Sequence, residues 1–158
     1  MSLVLLTNVT QYTGPGALGA LVRDGHTVAC HDAAFADAAA RAAFDAEHAT
    51  VHALQGQTPD AVHAEVAARW GVPVAVVSND VHPITRNSIE AIALEDLRAT
   101  SEALVVFPLR LAQCDRAGTA ATAGIGGRSL VGEEARLRRL HRCLEGAASA
   151  SQGRGRWC

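Results

Sequence analysis

Thr7, Tyr12 and Gly14 raise the first chemical question: they are spaced T-x4-Y-x-G inside "LLTNVTQYTGPG", Leu5 to Gly16. The stretch follows an apolar run and precedes a helix-forming one. In a dinucleotide-binding chain that place holds a glycine-rich loop, which brings backbone N–H groups and a helix N-terminus up to a pyrophosphate. Here Asn8 and Tyr12 occupy two positions where glycine is expected. A Tyr ring at the middle one takes the space a cofactor needs, so no cofactor binding is expected. Asp32 stands where a nucleotide-binding chain holds an acid for the ribose hydroxyls, and with the loop blocked a structural role at a strand end is expected instead. His31 and His82 occupy similar loop positions without a visible nucleophile partner, so packed or solvated histidines are expected. Asp80 reads as a turn residue after a strand. Cys30, Cys114, Cys143 and Cys158 show no CxxC pairing or zinc-like spacing, and no metal site is expected.

These groups need a scaffold, and the pattern of apolar residues supplies one. Leu3 to Thr7 is a short apolar run that predicts a buried parallel strand. Gly14 to Arg23 carries Leu18, Leu21 and Val22 on one helical face. "GHTVACHD" predicts a second strand, Phe35 to His48 an Ala-rich helix, and Thr50 to Leu54 a third strand. Thr58 before Pro59 is an N-cap with proline at the first helical position, opening a helix to Trp70 that stops at Gly71. "VPVAVVSND" predicts a fourth strand, and apolar positions from Ile89 recur at helical spacing towards Gln113. Strands alternating with helices predict an α/β fold, the N-terminal half of a Rossmann-type doubly wound parallel sheet, over residues 1–113.

After Cys114 the pattern breaks. Residues 114–158 form an irregular, Arg/Ala/Gly-rich basic segment, expected to be partly disordered, in which Leu137, Leu140 and Leu144 could stripe a short helix. All 14 basic residues are Arg; 6 lie before residue 114 against 12 acids, and 8 after it against 4. A basic tail without a recognisable module or interleaved aromatics does not argue for nucleic acid. The hydrophobic content of 49% fits a globular chain with a core. No apolar stretch approaches the roughly 20 residues of a membrane span, and "MSLVLLTNV" lacks the basic segment of a secretory signal, so a cytoplasmic location is expected.

The T-x4-Y-x-G stretch is similar to the first signature of the halohydrin dehalogenases, relatives of the short-chain dehydrogenases that do not bind nicotinamide cofactor. "GHTVACHDAAFADAA" from Gly25, "VVSND" from Val76 and "EALVVFPLRLAQ" from Glu102 extend the resemblance across about residues 1–113. That family expels halide from vicinal haloalcohols to form epoxides and opens epoxides with small anions. The resemblance implies that Thr7, Asn8, Tyr12 and Gly14 form the modified nucleotide loop. It further implies that Tyr12 helps wall a halide pocket and that Asp80 supports the catalytic base. The implied partners are a small haloalcohol or epoxide and halide, without nucleic acid or membrane. An oligomer or aggregate is expected, because the fourth strand and the long helix would lack covering neighbours.

The family's second signature, a Ser followed by Tyr and one turn later Arg, is missing. The chain has one Tyr, already placed in the loop, and neither Ser129 with Arg139 nor Ser149 with Arg154 has a base between them. The chain is therefore expected to be inactive, its catalytic residues absent. Read one base later, "RRLHRCLEG" from Arg138 permits an apolar strand ending in Ser, and "CDRAG" permits Ala-Ile-Ala-Pro. This suggests a frameshift near Gln113. Two other readings stay open: a fragment of a nicotinamide-dependent short-chain oxidoreductase, and a non-catalytic binding or assembly module using the Arg-rich end.

Overall fold

The computed structural model describes residues 2–47, 49–80 and 92–123, with 116–123 as backbone only. It contains a four-stranded parallel sheet of β1 (Leu3–Leu6), β2 (Thr27–Cys30), β3 (Val51–Ala53) and β4 (Ala75–Val77), in the order β3-β2-β1-β4. Helices α1 (Gly14–Arg23), α2 (Ala38–Asp45) and α3 (Pro59–Trp70) alternate with the strands. A long helical stretch follows: α4 (Leu94–Ser101), a π-helical turn (Glu102–Val106) and α5 (Phe107–Ala123). The fold is the expected α/β half of a Rossmann-type sheet.

Alternation along β1 builds two cores. Val4 and Leu6 face one side with Leu18 and Leu21 of α1, Val28, Phe35 and Val51. Leu5 faces the other with Ala29, Leu54, Val62 and Val66 of α3, and Leu111 of α5. A strand covered by helices on both faces must be apolar at every position, which explains the unbroken run "LVLL". Each fully buried leucine stabilises the fold by about 1.5–3 kcal/mol.

Helix ends follow their sequence signals. Thr58 accepts from the Ala61 N–H at 3.3 Å, and Gly71 ends α3 with a left-handed φ of 89°. The expected single helix from Phe35 to His48 is instead two elements, and His48 lies outside the described residues. Asp32 caps a 3-10 turn at Ala33–Ala36 and Asp37 caps α2, each through its carboxylate. Two capping acids five residues apart start the chain twice, and the extended Asp37 (φ −81°, ψ 127°) interrupts any continuous helix.

The expected helix from Ile89 also differs. Residues 81–91 lie outside the description, Ala93 is extended, α4 begins at Leu94, and the helical backbone continues past Gln113 to Ala123. Small residues without apolar periodicity still favour helix when Ala dominates. Among the described residues β4 pairs only with β1, so it is a sheet edge. Leu94, Leu97, Leu104, Val105 and Leu109 stand exposed along the long helix. No described helix is long and apolar enough to cross a membrane.

Candidate functional site

The candidate site lies at the C-terminal ends of β1, β2 and β4, where a parallel sheet leaves loops free to hold ligands. The loop from Asn8 to Thr13 is gripped from both sides. On the β2 side Asp32, 1% exposed, accepts at Oδ2 from the Thr10 N–H (2.9 Å) and hydroxyl (2.7 Å). Its Oδ1 accepts from the Ala34 N–H at 3.0 Å. The carboxylate is thus committed to the chain's own turn, the structural role expected of it.

On the β4 side the grip comes from Asn79. Its side-chain amide donates to the carbonyls of Asn8 (2.8 Å) and Gln11 (3.0 Å), and its Oδ1 accepts from the Thr13 hydroxyl at 2.6 Å. Asn8 Nδ2 donates back to the Asn79 carbonyl at 3.1 Å. Thr7, fully buried, donates from its hydroxyl to Asp80 Oδ2 at 2.8 Å and accepts from the Asn79 N–H at 3.1 Å. Ser78 adds a second hydroxyl to the same Asp80 oxygen at 2.7 Å. Thr7 and Asp80 therefore meet directly, and Asn8 joins them through Asn79. Asn79 was not singled out from sequence. The only signal was an amide side chain just past an apolar strand, and its partners lie 66–71 residues away.

Backbone geometry explains the unusual loop. Asn8 (φ 48°) and Tyr12 (φ 50°) both adopt the left-handed conformation that glycine takes freely. The glycine-like path persists although the glycines do not. Asn tolerates this region and Tyr does so at a cost of about 1–2 kcal/mol. Gly14 has no such latitude: a Cβ there would lie 2.4 Å from the Val9 carbonyl oxygen. Tyr12 itself is 64% exposed at the loop tip.

His31, at the end of β2, is buried and stacks on Phe107 with ring centroids 5.0 Å apart. It is a packed histidine, one of the two alternatives expected. Burial holds its imidazole below the ordinary value, against the upward pull of Asp80 and then Asp32. Cys30 is buried and its thiol is pushed far up, first by burial, then by Asp45 and Asp32. Among the described residues no group of three or more His, Cys, Asp or Glu is placed to hold a metal ion. His82, Cys143, Cys158, Ser129, Arg139, Ser149 and Arg154 lie outside the described residues.

No protein-family model matches the chain, and no curated protein matches it. Solved structures do. A halohydrin dehalogenase, HheC, bound to ethyl (2S)-oxiran-2-ylacetate is 33% identical, with a TM-score of 0.70 over 73% of this chain and 46% of that one. A structure described as a dehalogenation enzyme is 24% identical, TM-score 0.70, over 96% of this chain and 63% of that one. A short-chain dehydrogenase from Streptomyces avermitilis shares the fold at 23% identity and TM-score 0.64, over 74% and 44%. This chain thus spans 44–63% of the length of these proteins. Over about 73% of its length it resembles the halohydrin dehalogenases of the short-chain dehydrogenase/reductase superfamily, and because it spans 46% of that relative the resemblance is partial.

Proposed function

We propose that this chain is a halohydrin dehalogenase-like half-domain that carries the halide-side wall of the family's site and lacks its catalytic side. The observation that carries the reading is the state of Asp32. A carboxylate 1% exposed and bonded to Thr10 and Ala34 is not open to a ribose hydroxyl, so the residues present do not fit a nicotinamide dinucleotide. Tyr12 at the middle glycine position supports the same conclusion.

In this reading Tyr12 walls the halide pocket from the open side of the loop. Asp80, held by Thr7 and Ser78, is the carboxylate that would support a catalytic base. That base is a Tyr in the family. This chain has no Tyr besides Tyr12, so it supplies no group to take the proton from a haloalcohol hydroxyl. A frameshift near Gln113 accounts for the loss. A cytoplasmic location and self-association through the exposed stripe on α4 and α5 complete the proposal.

Purified chain incubated with a small vicinal haloalcohol should release no halide, and a gene repaired in frame after Gln113 should encode a protein that does. Halide release by the unrepaired chain would overturn the inactivity. A shifted frame without a Ser and a downstream Tyr-x-x-x-Arg would overturn the frameshift. Tight NAD binding in calorimetry would overturn the family reading in favour of an oxidoreductase fragment.

A further inference from the structure

His31 is the buried polar side chain that the proposed function does not use. It is 8% exposed, and among the described residues neither ring nitrogen has a hydrogen-bond partner. Its backbone is fixed on two sides, with the His31 N–H donating to the Leu6 carbonyl at 2.9 Å and the His31 carbonyl accepting from the Val9 N–H at 3.3 Å. These bonds tie the His31 backbone to the end of the sheet. Phe107 opens α5 directly after the π-helical turn Glu102–Val106, where the helix changes its hydrogen-bond register. Leu111, one turn on, is the fully buried anchor of α5 on the sheet.

We infer that the His31–Phe107 stack is a pH-sensitive latch that holds the start of α5 against the sheet at neutral pH and releases it in acid. A proton on the ring would add a charge and a second N–H donor at a buried site where, among the described residues, neither ring nitrogen is hydrogen-bonded. The charged groups that face the ring are Asp80 beyond β4 and Asp32 at the end of β2. Asp32 uses Oδ1 in its own turn and Oδ2 for Thr10 in the loop after β1, and Asp80 uses Oδ2 for Thr7 and Ser78. From α5 the ring meets the Phe107 face. Among the described residues an ion pair between α3 and α5, Arg110 with Asp60 at 3.6 Å, lies on the exposed surface. Burial outweighs the two carboxylates, so the folded state prefers neutral His31. A lowered folded value means that the stabilisation is complete above the ordinary histidine range and fades as pH falls below it. Because the sheet end is fixed, the element that yields is α5.

The test is amide hydrogen exchange on the full chain at about pH 7.5 and about pH 5, corrected for intrinsic rates and compared with His31→Phe. Wild-type amides over Phe107 to Asp115 should lose protection on the order of tenfold more than those of β1 on acidification, and His31→Phe should abolish that excess. An equal excess loss in His31→Phe, or none in the wild type, would overturn the latch. Should His31→Phe fail to fold, an NMR titration of the wild-type imidazole decides. A midpoint below about 6.5 supports the latch and one at or above it refutes it.

Discussion

Asn8 and Asn79 stand 71 residues apart in sequence and bind each other reciprocally: each side-chain amide donates to the other's backbone carbonyl, at 3.1 and 2.8 Å. The pair closes the space between the loop after β1 and the loop after β4. It also fixes Asn8 in the left-handed conformation that starts the turn towards Tyr12. The position of Tyr12 is therefore set from β4, by a residue that the loop's own sequence does not reveal.

Asn79→Ala removes three side-chain hydrogen bonds at once, to Asn8, Gln11 and Thr13. At about 0.5–1.5 kcal/mol each, the expected loss is about 2–4 kcal/mol. Urea unfolding should show the shifted midpoint, and exchange should quicken first in residues 8–13. An unchanged midpoint would mean that the loop is held by Asp32 alone.

Gly14 and Gly16 provide a matched contrast two residues apart. Gly14→Ala drives a methyl group into the Val9 and Asn8 carbonyls, which are backbone and cannot swing aside. A destabilisation of about 1–3 kcal/mol or more is expected. Gly16→Ala meets nothing within 4 Å in the first turn of α1 and should stabilise by about 0.5–1 kcal/mol. Thermal unfolding of the two variants should move in opposite directions.

Tyr12→Gly tests whether the loop keeps a glycine path under a tyrosine. Glycine removes the left-handed penalty at φ 50° and should raise stability by about 1 kcal/mol, whereas Tyr12→Ala retains the penalty and should not. Neither variant should gain NAD binding in calorimetry, because Asp32 stays buried in its own turn. Gain of binding by Tyr12→Gly alone would make the Tyr ring the sole obstacle.

Local physics explains what was legible. Helices α1 and α3 match their expected bounds residue for residue, since a Pro in the first turn and, for α3, a capping Thr and a Gly stop act over a few neighbouring residues. Asp37 is an equally local signal, hidden because the Ala-rich stretch around it reads as helix throughout. The π-helical turn before Phe107 has no sequence signature, since it reflects how α5 seats on the sheet rather than the propensity of its own residues.

By itself the sequence determined the alternating α/β order, the replaced glycines of the first loop, and the absence of any Tyr beyond Tyr12. Those are matters of residue identity and short-range periodicity. Only the tertiary structure decided that Asn79 clamps the loop, that Asp32 is used up inside it, and that His31 lies against Phe107. Each of these relations joins residues brought together by parallel strand pairing. Such pairing sets neighbours by register and crossover and leaves no mark in the spacing of the chain.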